Sequence, residues 1–546
     1  MAPNDSGELN GRTAADVIVV GSGVSGAQAA ALLVESGCNV VMLDGGYRDE
    51  KYAALIQTKS FAEIRRSDWQ QHRYFLGDEF EGIDLGPVGA GAQITPPRLY
   101  VLDHKHWNET VENPGFVALQ SLALGGLAAA WGAVSFPFTD HELEESGLRA
   151  EEIAQYYDEI ARCVGISGDQ HDDLSGLRGE ITPLRPALKT DSNATAILDK
   201  YYQKRLRLRR DGVYLGRPLM AVLTEPLGNR EPNSYTDMDF WSNFGASVYR
   251  PESTVTELRQ RQNFSYRRVL VTRFDEGPSG LVHVEVQPIE EKTGQNLYAK
   301  ILVLAAGTLG TARIVLRSFG KYDLPVPLTC NSHTYVPCIL PGRFGKYVDP
   351  SRHSLAQLTM ILDPTSDGRR LVQGQFYSYG SLLMYKLLKQ SPLPLRESVL
   401  LFQRLAPYLG IWVIQHEDVQ TADKFVVLRR RADGSDFLEI AFCLDSVEEQ
   451  RQRTSEAKMI RAMRRLGCWA IKRIRTAHGS SAHYASTFPM REEPGFGGTS
   501  LSGRLHNTQR VYVADGSSLR YLPAKGPSLT LMANARRVAA TALRNL

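Results

Sequence analysis

The clearest alternation of apolar and polar segments lies near the beginning of the chain. Residues 16–20 read DVIVV, a short β-branched run that predicts a strand buried on both faces. The alanine-rich run AQAAALLVESG at 27–37 predicts a helix that ends at Gly37. A second apolar run, NVVML at 39–43, predicts another buried strand. This order of elements predicts an α/β fold that begins with a parallel pair of strands.

Strand-like alternation recurs later in the chain. The segments YRRVLVTRFDEG at 266–277 and LVHVEVQPIE at 281–290 predict a hairpin that leads to a strand at 301, and 424–442 has the same pattern. The apolar stretch from Leu405 to Gln415 is too short to span a bilayer, and we expect a core or interfacial helix. A long amphipathic helix is predicted from about Ser446 to Ile474. We therefore expect a second domain with a mixed sheet flanked by helices.

Composition narrows the class of protein. A chain of 546 residues exceeds the size of one hydrophobic core, which predicts two domains or one large discontinuous pair. Its 43% hydrophobic residues and net charge of +3 are those of a globular protein, and its short basic runs predict solvated faces and no nucleic-acid partner. The six cysteines have no metal-ligand spacing, so we expect no metal and a reduced, cytoplasmic location. Without an apolar segment in the first fifteen residues, we expect no signal peptide and no membrane anchor.

The turn between the first strand and the first helix reads GSGVSG and predicts a dinucleotide site. Gly21 allows the tight turn, Gly23 lets the backbone approach a pyrophosphate, and Gly26 lets the helix pack closely on the strand. The helix N-terminus then faces the phosphates. Asp44 ends the second strand, where a carboxylate can hold ribose hydroxyls. The same predicted site includes Ser22 and Gly45.

Two later strand-glycine segments favour FAD over NAD. They read ILVLAAGTLG at 301–310 and RVYVADGSS at 510–518. Both would bring distant parts of the chain back to the same nucleotide, a closing element that a nicotinamide dehydrogenase does not need. The residues that these segments contribute to the predicted site are Ala306, Gly307, Asp515 and Gly516.

Read in order, these segments resemble the glucose-methanol-choline (GMC) oxidoreductases, flavoproteins that oxidise alcohols by passing hydride to flavin N5. Besides GSGVSG with Asp44, the matching segments are SLALGGLAAAWGAVSFPF at 121–138 followed by EEIAQYYDEI, LVLAAGTLGTARIVL at 302–316, and HYASTFPM at 483–490 through VADGSS to GPSLTLMANARRVA. The resemblance implies a Rossmann-type FAD-binding domain with a discontinuous α+β substrate-binding domain. We expect the first domain at 1–170, 245–325 and 495–546, and the second at 171–244 and 326–494.

The segment GGLAAAWG resembles the loop that runs over the flavin ring in sugar-oxidising members. A histidine just before the tryptophan can bond the flavin covalently there, whereas this chain has Ala130, which implies non-covalent FAD. By the same resemblance, the loop residues near the flavin ring or pyrophosphate are Gly125, Gly126, Trp131 and Gly132. Simple core packing is an equal alternative for Trp131. The segment ESTVTEL at 252–258 resembles the strand that contacts the adenine, which assigns Val255.

Oxidation of a CH–OH group requires a base for the hydroxyl proton, and histidine has a suitable pKa. His483 lies in HYASTFPM, which resembles the segment where the family places its catalytic histidine. We therefore predict His483 as the base. His478 and His506 are the rivals.

The family places a second polar residue, histidine or asparagine, in the turn that reads LPAKGPSLT here. That position is Gly526, so the expected side chain is missing. Three replacements stay open: Lys525, a bound water, or a residue of the second domain such as His333. We predict Lys525 as a catalytic residue, with an exposed turn lysine as the alternative. The backbone of Gly526, Pro527 and Ser528 is expected beside the flavin.

The resemblance implies an FAD-dependent enzyme that oxidises a hydroxyl of a sugar, glycoside, aminocyclitol or related polyol. Dioxygen and an external electron acceptor both stay open, so oxidase and dehydrogenase are not distinguished. One alternative is a lyase in which FAD is structural. A second is a flavin-binding module without chemistry, and the missing side chain at Gly526 keeps both alternatives open.

Overall fold

The computed structural model describes residues 14–55, 58–80, 96–102, 110–112, 115–277, 280–289, 294–378, 388, 391–493 and 495–546. The helices are α1 (Val24–Glu35), α2 (Phe61–Ser67), α3 (His72–Phe75), α4 (Asp140–Ser146), α5 (Ala150–Ile160), α6 (Ser192–Arg210), α7 (Pro251–Leu258), α8 (Thr308–Ser318), α9 (Leu395–Leu405), α10 (Ser446–Arg465) and α11 (Ser528–Arg544). The strands are β1 (Ala15–Val20), β2 (Val40–Asp44), β3 (Thr110–Glu112), β4 (Val213–Gly216), β5 (Phe264–Glu276), β6 (Val282–Pro288), β7 (Gln295–Leu304), β8 (Val326–Pro327), β9 (Thr329–Cys330), β10 (His333–Ile339), β11 (Leu358–Leu362), β12 (Val372–Ser378), β13 (Leu409–Gln415), β14 (Asp418–Val419), β15 (Lys424–Arg430), β16 (Asp436–Phe442), β17 (Trp469–Ala470), β18 (Ile474–Arg475), β19 (Tyr484–Ala485), β20 (Met490–Arg491), β21 (Thr499–Ser500), β22 (Val511–Val513) and β23 (Tyr521–Leu522).

A six-stranded sheet forms the Rossmann-type unit. β1 pairs in parallel with β2 and β7, β2 pairs in parallel with β5, and β22 pairs in parallel with β7. The predicted hairpin is present: β6 pairs antiparallel with the second half of β5 and the first half of β7. β1 is buried on both faces, since Val17 and Val19 pack in the cluster with the alanines of α1 while Ile18 and Val20 belong to a separate core. The chain is thus an α/β protein that begins with the predicted strand, helix and strand.

A second sheet has the order β17-β10-β13-β12-β11-β4, with β18 also pairing β10. Every pairing in it is antiparallel, so the expectation of a mixed sheet was wrong. The predicted helix from Leu405 to Gln415 was also wrong in its main part. That segment ends as β13, because its β-branched residues pair on both sides with β10 and β12.

Two other differences concern element ends and packing. α10 ends at Arg465 and not near Ile474, because Gly467 takes a φ of 88° and turns the chain into β17. The hairpin β15–β16 pairs with β3 and β8, and its residues Val426 and Leu438 share a hydrophobic core with Leu302 of β7. Part of the expected substrate-binding segment therefore packs against the Rossmann-type unit, and the division into two domains stays a prediction.

The antiparallel sheet has one apolar face and one face with many polar residues. Val336, Phe376 and Trp412 point to one side, where they share a core with residues of α6 and α10. The alternate positions, which point to the other side, are His333, Tyr335, Gln373, Gln375, Tyr377, Ile411, Val413 and Gln415. Among the helices of the described residues, none is long and apolar enough to cross a membrane.

Candidate active site

A cavity of about 450 Å³ lies between the Rossmann-type unit and the antiparallel sheet. One end is lined by the glycine turn after β1 and by Asp44 at the end of β2. The other end is lined by His483 and by His333 on β10. The cavity therefore connects the predicted dinucleotide site with the predicted catalytic histidine.

Three helices begin at the wall of this cavity. α1, α8 and α11 start after Gly23, Gly307 and Pro527, and all three of these N-cap residues line the cavity. None of the three N-termini has a side-chain cap, and none has an acidic residue in its first turn. Their free N–H groups carry partial positive charge toward the cavity. This arrangement suits an anionic ligand such as a pyrophosphate.

The glycines of the turn differ in what surrounds them. A Cβ on Gly21 would lie 2.3 Å from the Ala305 carbonyl oxygen, and one on Gly26 would lie 1.9 Å from the Gly21 oxygen. These two positions need glycine for packing, and Gly26 does not line the cavity. A Cβ on Gly23 or Gly307 would meet no protein atom within 4 Å. Both positions therefore leave open space beside helix N-termini, as close approach of a dinucleotide requires.

Asp44 is held by several hydrogen bonds at the end of the cavity near the glycine turn. Its Oδ2 accepts from Ser22 Oγ at 2.8 Å, from Gly46 N at 3.1 Å and from Tyr266 Oη at 2.8 Å. Its Oδ1 accepts from Ser22 N at 3.0 Å. Burial raises the pKa of Asp44, and these bonds oppose that shift. Because each carboxylate oxygen has two lone pairs, Oδ1 retains capacity for a ribose hydroxyl.

Most of the sequence-predicted site residues meet at this cavity. Those that line it are Gly21, Ser22, Gly23, Asp44, Gly45, Gly125, Gly126, Trp131, Gly132, Ala306, Gly307, His483, Asp515, Gly516, Gly526, Pro527 and Ser528. The loop with Gly125 is tied to the glycine turn, because the Gly125 N–H donates to Ser22 Oγ at 2.9 Å. Trp131 Nε1 donates to the Tyr249 carbonyl at 2.7 Å, which fixes the half-buried indole at the wall.

Besides Gly26, two predicted residues lie away from the cavity. Val255 is in α7, a helix and not the strand that the resemblance suggested, and its side chain packs in a core with residues of α1. Lys525 is buried and its Nζ donates to Glu142 Oε2 at 2.6 Å, so it does not reach the cavity as a catalytic group. The exposed turn lysine, its alternative, is also wrong, because a buried ion pair holds this side chain.

Other lining residues were not assigned from the sequence. Val269, Leu270 and Val271 in the middle of β5 line the dinucleotide end, close to where β5 leaves β2 for β6. The apolar core of YRRVLVTRFDEG was the available signal. We predicted only a hairpin for this segment. In the structure the first half of β5 also pairs with β2 and extends the parallel sheet.

His483 has a fixed orientation at the other end. Its Nδ1 lies 3.1 Å from Asn331 Oδ1. Asn331 Nδ2 donates to the carbonyls of His416 and Pro523, at 2.7 and 3.0 Å, so the amide oxygen faces His483 and accepts. The imidazole therefore carries its proton on Nδ1, and Nε2 is left with a lone pair. Burial lowers the pKa of His483 to about 4, which keeps the ring neutral near pH 7.

A second histidine stands against His483. The His333 ring lies at 85° to the His483 ring with 5.4 Å between the centroids. Among the described residues, no group hydrogen-bonds the buried His333 Nε2. Removal from water, and secondarily His483 and His416, lower the pKa of His333 well below its ordinary value. The rival histidines, His478 and His506, do not line the cavity.

The antiparallel sheet gives this end a polar wall. Tyr377 Oη donates to Gln375 Oε1 at 2.8 Å, and Gln375 Nε2 donates to Gln373 Oε1 at 3.2 Å. Within the described part of the chain, Gln415 Oε1 and Ser378 Oγ are buried at the cavity without a partner. Buried polar groups are normally hydrogen-bonded, so this wall is suited to a ligand rich in hydroxyl groups.

The fold and the site define an α/β protein with a Rossmann-type unit and a cavity that suits a dinucleotide. Residues 412–535 match the family model described as GMC oxidoreductase. The chain is 24% identical over 564 residues to 6'''-hydroxyparomomycin C oxidase of Streptomyces lividus, which covers 96% of this chain and 90% of that protein. It is also 24% identical over 558 residues to paromamine 6'-oxidase of Streptomyces fradiae, with the same coverage.

Solved structures agree on the fold. Pyridoxine 4-oxidase from Mesorbium loti matches with a TM-score of 0.59 and 13% identity, over 97% of this chain and 99% of that one. A formate oxidase of Aspergillus oryzae RIB40, in a structure that concerns FAD modification, matches with a TM-score of 0.59 and 11% identity, over 98% and 99%. The family model over residues 412–535 and the two Streptomyces relatives support the resemblance to the GMC oxidoreductases, and the solved structures show the same fold.

Proposed function

We propose that this enzyme binds FAD non-covalently and oxidises a CH–OH group of a sugar-like substrate to a carbonyl, with His483 as the base. The observation that carries the proposal is the orientation of His483. Asn331 occupies Nδ1 of the ring, so the basic Nε2 is available in a cavity that is continuous with the dinucleotide end. The named activities of the two Streptomyces relatives support a carbohydrate-like substrate, and among such compounds an aminoglycoside.

Different residues around the cavity would bind different parts of FAD. The helix N-termini after Gly23 and Gly307 would face the pyrophosphate, and Asp44 would accept from a ribose hydroxyl. The middle of β5 would contact the adenosine end, and the loop with Trp131 and Gly132 would border the flavin ring. Ala130 provides no nucleophile for a covalent bond. Acid precipitation should therefore release all of the yellow chromophore into the supernatant, and colour retained in the pellet would contradict the non-covalent assignment.

The chemistry needs a proton acceptor and a hydride acceptor at one carbon. His483 Nε2 takes the hydroxyl proton, and the electron pair of the O–H bond forms the carbonyl π bond as the C–H hydride departs. FAD, when bound, supplies the two-electron acceptor for that hydride. The imidazolium that forms is stabilised through its Nδ1–H bond to Asn331 Oδ1. The polar wall of the antiparallel sheet holds the remaining hydroxyl groups.

The test is the visible spectrum of the purified protein, followed without oxygen while aminoglycosides, sugars, glycosides and polyols are added one at a time. Bleaching of the flavin by one class establishes alcohol oxidation and names the class. Product formation without bleaching would support the lyase alternative, and binding without either would support the module without chemistry. Admission of air then distinguishes an oxidase, which recovers its colour at once, from a dehydrogenase, which needs an added acceptor.

A further inference from the structure

We propose that His333 is the second catalytic residue of this enzyme, donating a hydrogen bond from Nε2 to the reacting oxygen of the substrate. The inference rests on the proposed function. It assigns the role that neither Gly526 nor Lys525 can fill to a side chain from the antiparallel sheet.

The first observation is the unsatisfied hydrogen bond. His333 lines the cavity, and its buried Nε2 has no partner among the described residues. Directly across the ladder, Gln415 has a buried Oε1 that also lacks one. Buried polar groups of this kind are normally hydrogen-bonded, because leaving them unpaired is destabilising. A substrate hydroxyl group placed between the sheet and His483 would accept from His333 Nε2, and a second hydroxyl group of the same ligand would donate to Gln415 Oε1.

The second observation is the relation between the two histidines. Their nearly perpendicular rings, 5.4 Å apart, border the same space. His483 can only accept at Nε2, because its proton is committed to Asn331. A substrate O–H group therefore donates to His483 and has lone pairs left for a donor. Because His333 also stays neutral near pH 7, its ring carries one proton, and the proposal places that proton on the unpartnered Nε2, which then supplies the donor.

The third observation explains the glycine at position 526. Gly526 does not have a positive φ, so its backbone does not require glycine. A Cβ there would lie 3.5 Å from the Val134 oxygen and 3.9 Å from His483 Nε2, at ordinary contact distances. Packing does not require glycine either. A longer side chain at this position would enter the space beside His483 Nε2, which the substrate oxygen and His333 share in our proposal.

The proton goes to His483 and the hydride would go to the bound FAD, as in the proposed function, so this step needs no further acceptor. As the O–H proton moves to His483 and the C–H hydride departs, negative charge on the oxygen passes through a maximum. The N–H of His333 stabilises that charge, as donors aimed at a developing oxyanion do. In the product, the carbonyl oxygen has no proton, so it can accept from His333 but cannot donate to His483.

The experiment uses the FAD-loaded full-length enzyme and the alcohol that bleaches the wild type. We expect His333→Ala to slow anaerobic flavin reduction by about 100-fold to 1,000-fold. His333→Asn retains a donor and should lose less. The double variant His333→Ala with Gly526→Asn should recover at least about tenfold of that loss, because the amide is returned to the same space. His478→Asn, a histidine away from the cavity, is the matched control and should keep the wild-type rate.

A readout that does not depend on turnover is the dissociation constant of the carbonyl product, measured from the flavin spectrum. His333→Ala should raise it by about tenfold, whereas His483→Ala should leave it within about twofold. Wild-type reduction and product binding in His333→Ala would overturn the role of His333 and leave the proposed function intact. A wild-type enzyme that no alcohol reduces would overturn the proposed function, and the assignment of His333 would fail with it.

Discussion

At the scale of single residues, the reacting end of the cavity depends on which nitrogen of His483 carries the proton. Asn331 determines the position of the proton, because its amide nitrogen donates to two backbone carbonyls and leaves only its oxygen for the ring.

The first prediction is that His483→Ala keeps its FAD but slows flavin reduction by about two to four orders of magnitude. Anaerobic stopped-flow absorbance measures this rate. His506→Ala is the control, and an unchanged rate in His483→Ala would remove this histidine from the mechanism.

The pH dependence of the same rate is the second prediction. His483 acts as a base only when neutral, and burial lowers its pKa from 6.5 to about 4. The rate should therefore be constant from neutral pH down to about pH 5 and fall tenfold per pH unit below about pH 4. Single-turnover reduction across this range provides the measurement. A midpoint near 6.5 would show that the ring is solvated, contrary to the structure.

The sequence predicts some of these residues better than others, for a physical reason. Gly21, Gly23 and Asp44 were accessible because a turn, a helix N-terminus and a strand end encode their roles locally. The role of Lys525 could not be predicted from the sequence, because its partner Glu142 lies far away in the chain and only the folded protein brings the two together. The same holds for the contact between His483 and Asn331, which depends on the pairing of β9 with β19.

At the scale of elements, the glycines at the start of α1 have different roles: Gly23 leaves space for the ligand, and Gly26 is required by the packing of the fold. The third prediction is that Gly23→Val abolishes flavin retention while the protein still folds, because a Cβ there meets no protein atom within 4 Å. The ratio of visible to ultraviolet absorbance measures the bound flavin, and circular dichroism measures the fold. Gly26→Val is the contrast: its Cβ would lie 1.9 Å from the Gly21 oxygen, so we expect misfolding. Full flavin retention by Gly23→Val would contradict the pyrophosphate assignment.

The turn before α11 is joined to α4 by the buried pair of Lys525 and Glu142. Removing one partner leaves an unpaired buried charge, so the fourth prediction is that Lys525→Met lowers the free energy of unfolding by about 3–5 kcal/mol. The rate of reduction per bound flavin should stay within about twofold of the wild type, since Lys525 does not line the cavity. Thermal unfolding and stopped-flow absorbance test the two parts. Adding Glu142→Gln, which removes the second charge but can still cap α4, should restore most of the stability.

The prediction of secondary structure was wrong where pairing with neighbouring strands determines the conformation of a segment. The run that ends in IWVIQ is apolar enough for a helix or a strand, and pairing with β10 and β12 makes it β13. The alternation of His333 with Tyr335, and of Gln375 with Tyr377, was visible in the sequence. Which side of the sheet those residues face became clear only once Phe376 and Trp412 were placed in the core with α6 and α10.

At the scale of the whole molecule, the cavity brings together parts of the chain that are far apart in the sequence. Its wall combines the glycine turn, the loop around Trp131, three helix N-termini and one face of the antiparallel sheet. A ligand that touches all of them binds the folded state and has no equivalent site in the unfolded chain. Binding should therefore stabilise the entire protein and not only the Rossmann-type unit.

The fifth prediction follows from that linkage. Free FAD at a hundredfold excess over its dissociation constant should stabilise the flavin-free protein by about 2.7 kcal/mol, seen as a rise in the thermal unfolding midpoint that grows with FAD concentration. ADP at the same free concentration should give a smaller rise, because it can reach only the end near Asp44, lacks contacts with the loop around Trp131 and the antiparallel sheet, and so has a higher dissociation constant. Gly23→Val should show no rise with either ligand. An equal effect of ADP and FAD would mean that the dinucleotide end alone carries the binding energy, and that the polar wall and its histidines are ordered independently of the flavin.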